Sequence, residues 1–306
     1  MKIERRKPLT ARAGLMGVGL DTYWEQFPGL LDELMKKMEK LEQKLAANQV
    51  EVISFGMVDN AQRAFEALPK IKAADLDILF VDMLTYATSA TFGAIVREMN
   101  VPVVLVALQP LSALDYEHAT TYMQLCNDDL CSVPEFTGVA IRMGKTPPPL
   151  VLGMLEGDAA ADAQLAEWCR VAHVLHDLRR ARIGHLGHVL EAMLDMQTDP
   201  TAVTAQFGCH VVQCEADQMM PIYRSIDPAG EEVAAMKKRI LDFFDTPDPV
   251  SDPLTCKLTD ADLETAAVVA VTLEKYIAAK SLDGLAYYYE GEPGSPVRKL
   301  VTNFIV

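Results

Sequence analysis

Glu290 closes Leu282-Asp-Gly-Leu-Ala-Tyr-Tyr-Tyr-Glu290, an apolar and aromatic run with the length and composition of a buried strand. A carboxylate at the end of such a strand, followed by Gly291-Glu-Pro-Gly-Ser295, stands where open α/β sheets contact their ligands. Gly184-His-Leu-Gly-His188 also follows a strand-like run, and its two imidazoles can hydrogen-bond a polar substrate or ligate a metal. Its glycines permit close backbone approach. Asp21-Thr-Tyr-Trp24, Thr85-Tyr-Ala87 and Gln109 each come just after an apolar run. Together they offer aromatic faces, hydroxyls and an amide, a set suited to a polyhydroxylated ligand. Cys169, His173 and His176 share one face of an expected helix. Zinc sites draw ligands from more than one element, so packing is the favoured reading of these three.

Several elements must position these groups. Gly14–Leu20, Val50–Phe55, Asp77–Asp82 and Val101–Leu108 read as strands. Between them lie helices over Gly29–Ala47, Ala61–Ala74 and about Ser89–Met99, the first carrying Leu30, Leu34, Met38, Leu41 and Leu45 at three- and four-residue spacing. This repetition predicts a parallel sheet with helices on both faces and right-handed crossovers. After the rigid stretch Gly144-Lys-Thr-Pro-Pro-Pro149 come a strand at Leu150–Leu155 and a long helix at Asp158–Arg180. The pattern then restarts: strand Ala181–Leu186, helix from about His188, strand Cys209–Cys214 and helix Glu231–Phe244. A proline-rich loop over Thr246–Pro253 leads to a helix at Asp260–Ala279 with Thr259 as N-cap, then to the strand ending at Glu290. The expected fold class is therefore α/β, with two Rossmann-like domains, 1–178 and 179–306, each opening its strand ends towards a cleft.

Gly14-Leu-Met-Gly-Val-Gly19 has the spacing G-x-x-G-x-G, and no acidic residue closes a second strand about 20 residues on, which argues against NAD. The chain has neither a G-x-x-x-x-G-K-[ST] phosphate loop nor a G-x-S-x-G elbow. At 306 residues it is long enough for two cores, and half of its residues are hydrophobic. A net charge of −15 argues against nucleic acid, which needs clustered Lys and Arg. The one basic cluster, Lys2–Lys7, is followed by no secretory h-region, and no run reaches the roughly 20 apolar residues of a membrane span. Six cysteines lie scattered without a CxxC, as free thiols of a reducing cytoplasm would. The expected location is cytoplasmic, with no membrane partner.

The strand-end residues resemble the L-arabinose and L-fucose isomerase family of aldose–ketose isomerases. The resemblance rests on Val18-Gly-Leu-Asp-Thr-Tyr23, Asp82-Met-Leu-Thr-Tyr86, Met123–Phe136 and Ala181-Arg-Ile-Gly-His-Leu-Gly-His188. Met193-Leu-Asp-Met196, Asp199-Pro-Thr201 and Gly284-Leu-Ala-Tyr-Tyr-Tyr-Glu290 extend it over the whole chain. The resemblance implies an aldose–ketose interconversion through an enediolate, with a monosaccharide substrate. It implies a divalent cation, Mn²⁺ or else Mg²⁺ or Co²⁺, held by two glutamates and histidines, with Glu290 as the first glutamate, both catalytic and metal-ligating. It also implies that Leu20, Asp21, Tyr23, Tyr86, Gln109, His185 and His188 face substrate, in a homo-oligomer (trimer or hexamer). Family members have a third, C-terminal domain carrying the second glutamate. The chain stops within the apolar stretch Leu300–Val306, which predicts a truncated form lacking that half of the site. The alternative is a non-catalytic sugar-binding or assembly subunit.

Overall fold

The computed structural model describes residues 10–244, 250 and 258–301. The basic cluster 2–7, Cys256 and most of the proline-rich loop lie outside the described residues. The chain divides into two compact units, with the break between Asp177 and Leu178.

In the first unit, five parallel strands stand in the order β2-β1-β3-β4-β5: β1 Arg12–Val18, β2 Glu51–Val58, β3 Ile78–Asp82, β4 Val103–Gln109 and β5 Leu150–Met154. Strand alternation gives the sheet two apolar faces. On one, Ala13, Leu15, Ile78 and Phe80 meet α2 (Leu30–Ala46), α5 (Thr121–Cys126) and α7 (Ala159–Leu178). On the other, Met16, Val18, Leu79 and Val81 meet α3 (Ala61–Ala73), α4 (Ser89–Val96) and α6 (Val133–Arg142). All five apolar positions of the α2 stripe are buried, as their spacing requires. Phe92 and Phe136 stack with centroids 4.7 Å apart, joining α4 to α6. A short helix, α1 (Thr22–Gln26), follows β1.

The strand order reverses between β1 and β3. The chain leaves β1 into α2 on one face and leaves β3 into α4 on the other. The two departing loops therefore splay apart and leave a crevice at the carboxyl edge of the sheet.

The second unit holds a three-stranded parallel sheet, β7-β6-β8, with β6 Arg182–Leu186, β7 His210–Cys214 and β8 Gly284–Tyr287. Leu186, Cys214 and Leu282 pack against Met219, Val269 and Tyr276. A second cluster joins α10 (Glu231–Phe243) to α11 (Asp260–Lys280) through Val233, Met236, Ile240, Val268 and Val271. The helices α8 (Pro200–Phe207), α9 (Met220–Ser225) and α12 (Pro296–Val301) complete the unit. Thr259 caps α11 as expected: its hydroxyl accepts from the Asp262 N–H while the Asp262 carboxylate accepts from the Thr259 N–H.

Two expectations fail in this unit. No helix starts near His188. Residues 187–199 run irregularly, with a 3-10 turn at Leu194–Met196, and α8 begins only where Asp199 caps Pro200 at the first helical position. The last strand is also shorter than its apolar run. β6 stops at Leu186, where Gly187 turns away at φ +83°, so the ladder ends with the Tyr288 N–H bonded to Leu186 O. Glu290 stands three residues past the strand, not at its last position.

Candidate functional site

At the crevice of the five-stranded sheet, the segment after β1 carries Leu20, Asp21 and, within α1, Tyr23, and the loop after β3 carries Thr85 and Tyr86. Leu20 is half-buried, and its carbonyl opens α1 by accepting the Tyr23 N–H. Asp21 accepts the Asn60 amide at 2.9 Å and so ties this loop to the one after β2. In that second loop, buried Asp59 accepts Trp24 Nε1 at 2.7 Å and the Arg63 guanidinium at 2.8 Å.

Tyr23 and Tyr86 lie within electrostatic range of each other. Burial holds the Tyr23 phenol above its ordinary range, with Asp128, Tyr86 and Cys131 adding to the effect. Asp128 is itself pushed up by burial, against a hydrogen bond from the Cys131 thiol and the pull of Lys37. Tyr23 on α1, Tyr86 after β3, and Asp128 and Cys131 after α5 thus lie within electrostatic range of one another, and the last two were not singled out in the sequence. Gln109 takes a different part. Its amide donates to Asn127 O at 2.6 Å, while the Asn127 side chain both accepts from Leu111 N and donates to Leu111 O. Gln109 therefore braces the loop that presents Asp128.

Behind these side chains lies a buried ionic cluster that sequence reading missed. Lys37, Asp82 and Asp129 are all nearly inaccessible, and the Lys37 ammonium donates to both Asp129 oxygens at 2.9 and 3.0 Å. Burial pushes Asp82 up to about 8, with Lys37 pulling down and Asp129 pushing up. Burial likewise lifts Asp129 to about 7 against the pull of Lys37. A signal was present: Lys37 lies three residues past Leu34 and four before Leu41, on the apolar stripe of its helix.

Cys169 is buried, His173 Nε2 lies 3.1 Å from Asn48 O, and His176 Nδ1 lies 2.9 Å from Asp77 Oδ2. These contacts agree with the packing reading.

The second unit carries the other group of expected residues at the carboxyl edge of its own sheet. The His188 ring lies on Tyr288, centroids 4.1 Å apart and planes tilted by 33°. The Tyr288 hydroxyl donates to Glu290 Oε2 at 3.2 Å. Burial raises the Tyr288 phenol, and its bond to Glu290 adds to this. Gly187 allows the stacking, because a Cβ there would sit 3.0 Å from Tyr288 Cβ and its φ is left-handed. His188, Tyr288 and Glu290 form one connected group, with Glu290 exposed. Of the three consecutive tyrosines, Tyr288 is the one bonded to Glu290. His185 is apart from this group. It lies inside β6, on the face opposite Leu186 and Gly184, which turn to the core.

Among the described residues, no group of three or more His, Cys, Asp or Glu side chains is placed to hold a metal ion, and no helix is long and apolar enough to cross a membrane. No family model matches the chain, and no curated protein matches it.

Proposed function

We propose that this chain belongs to a metal-dependent aldose–ketose isomerase of the L-arabinose and L-fucose isomerase type, with Glu290 as its proton-transferring carboxylate. The observation that carries the reading is the group at the edge of the second sheet: an exposed Glu290 oriented by the Tyr288 hydroxyl, with His188 seated on the same ring. A carboxylate held at one face of the C1–C2 unit of a sugar takes the proton from one carbon and returns it to the other. His188, exposed beside it, can hydrogen-bond a sugar hydroxyl. The paired tyrosines and Asp128 of the first unit suit a polyhydroxylated ligand in the same way. The resemblance extends the proposal to a cytoplasmic homo-oligomer and to Rossmann-like domains completed by a further one.

The cation that this reading implies, Mn²⁺ or a similar ion, would polarise the sugar carbonyl. Glu290 is the residue here that would hold it. The described residues do not complete a site by themselves, since a hard divalent ion takes about six ligands. Mn²⁺ binding to the 306-residue chain should therefore be weaker than micromolar by calorimetry.

The test is aldose-to-ketose conversion by the full-length protein with added Mn²⁺, followed by NMR over a panel of aldopentoses and aldohexoses. Conversion that disappears in Glu290→Gln supports the proposal. Conversion that survives that substitution overturns the role of Glu290. A protein that binds sugars in the same panel and converts none is a binding or assembly subunit, the reading favoured by the Tyr23–Tyr86–Asp128 crevice.

A further inference from the structure

Lys37 reaches more than its ion partner. Its ammonium also donates to Leu84 O at 3.3 Å and to Cys126 O at 3.0 Å. Leu84 belongs to the loop that carries Thr85 and Tyr86, while Cys126 and Asp129 bracket Asp128. One side chain on α2 thus holds both of these loops. A second tie lies at their far ends, where the Ser132 hydroxyl accepts the Ala87 N–H and donates to Ala87 O, both at 2.8 Å.

Asp82 ends β3 on the face of Ile78 and Phe80, the face covered by α2. It confronts Lys37 from α2 and Asp129 from the loop after α5. Around that pair, Cys126 brings Glu33 and Tyr122 into range, and Asp128 lies beside Asp129. One ammonium faces two buried carboxylates, and no hydrogen bond joins it to Asp82 among the described residues. Placing both carboxylates charged beside one cation leaves a net negative charge out of water, which is costly.

We propose that Lys37, Asp129 and Asp82 form a proton-dependent clamp on the crevice: with Asp82 protonated, Lys37 is free to hold the loops at Leu84 and Cys126, and loss of that proton draws the ammonium towards Asp82 and loosens them. Burial raises both carboxylates, so as a coupled set they keep a proton to higher pH than ordinary carboxylates do. Asp82 holds it, because Asp129 has the direct bonds to the ammonium. The contact to Leu84 O is the longest of the four and yields first, releasing the segment with Thr85 and Tyr86. Thr85 is buried with its hydroxyl oxygen lacking a hydrogen-bond partner, so its side chain adds no tie of its own between Leu84 and the Ser132–Ala87 contact. The proposal concerns the first unit alone and does not depend on the activity assigned above.

Hydrogen exchange read by mass spectrometry tests it, with rates corrected for intrinsic base catalysis. In the unaltered protein, protection of peptides spanning 83–88 and 126–132 should fall about tenfold as pH rises from about 6.5 to about 9. Asp82→Asn, which keeps the shape and neutrality of the protonated acid, should hold the low-pH protection across the whole range. Lys37→Met should show low protection at every pH. The clamp is overturned if the unaltered protein shows no such fall, or if Asp82→Asn shows the same fall. Should Lys37→Met fail to fold by circular dichroism, the comparison of Asp82→Asn with the unaltered protein decides alone.

Discussion

The two units carry polar groups at the same edge of a parallel sheet and treat them in opposite ways. In the five-stranded unit, Lys37, Asp82 and Asp129 are sealed under helices, and every bond of Lys37 is made to another part of the fold. In the three-stranded unit, His188 and Glu290 stand exposed and are steadied by one tyrosine. The difference separates two uses of a polar side chain. A buried one must be satisfied internally, so it fixes backbone. An exposed one keeps free lone pairs for a ligand. Substitutions should therefore register in stability in the first unit and in chemistry in the second.

Lys37→Met should give the largest stability effect, a loss of about 3 kcal/mol by urea denaturation, because it strands a buried carboxylate and two buried carbonyls. A loss below about 1 kcal/mol would remove the distinction between the units. Next comes a dependence on pH. Asp82 is raised in the folded state, so the folded protein binds more protons than the unfolded chain between the ordinary carboxylate range and about 8. Stability from this group is fully present at the acid end of that window and is lost as pH rises towards about 8. Asp129, raised to about 7, acts in the same sense. Denaturation midpoints taken from about pH 5 to about 8.5 should fall with pH and fall less steeply in Asp82→Asn. An unchanged slope would place the proton elsewhere.

An effect of about 1 kcal/mol is expected for Thr259→Ala in the second unit, where the capping box at the start of α11 is lost. Thermal unfolding would read it, and Thr259→Ser should restore most of the loss. This contact is structural despite its exposure, so it measures how far stability in that unit depends on local elements and not on the Glu290 group.

How far the sequence discloses such assignments depends on whether the determining contacts are local. The α2 stripe follows from side-chain period and β1 and β3 from their continuous apolar runs, and these residues are buried, whereas β2 at the sheet edge is mostly half-buried. The capping box is visible as Thr259 with Asp262 three residues on. The segment after Gly187 misleads, because Val189, Leu190, Met193 and Leu194 have helical spacing, yet Leu194 is 80% exposed and the chain there is irregular. That pattern had no core to meet. That Tyr23 and Tyr86 come within electrostatic range could be anticipated, since β1 and β3 are neighbours at the reversal of strand order. Asp129 could not be, because its partner lies 92 residues away and nothing local fixes the loop between α5 and α6. Glu290 reads as a strand-end acid in the sequence but lies three residues past β8, because β6 stops at Leu186 and the ladder ends with it.

The smallest stability effects are expected at the group to which the proposal assigns the chemistry. Glu290→Gln removes a charge from an exposed site whose one hydrogen bond among the described residues comes from a neighbouring tyrosine, and Tyr288→Phe removes that hydroxyl while keeping the ring on which His188 lies. Both should change unfolding free energy by less than about 0.5 kcal/mol. Their functional effects should differ. If the proposed isomerase reading holds, Glu290→Gln should abolish turnover in the isomerisation assay, since that reading makes Glu290 the proton carrier. Tyr288→Phe should lower kcat about tenfold with little change in KM, because the carboxylate stays present and loses its orientation. Paired denaturation curves and steady-state kinetics check both together. A stability loss above about 1 kcal/mol in either variant would mean that the end of β8 is held by these side chains, as the first unit is held by Lys37, and the contrast between the two units would disappear.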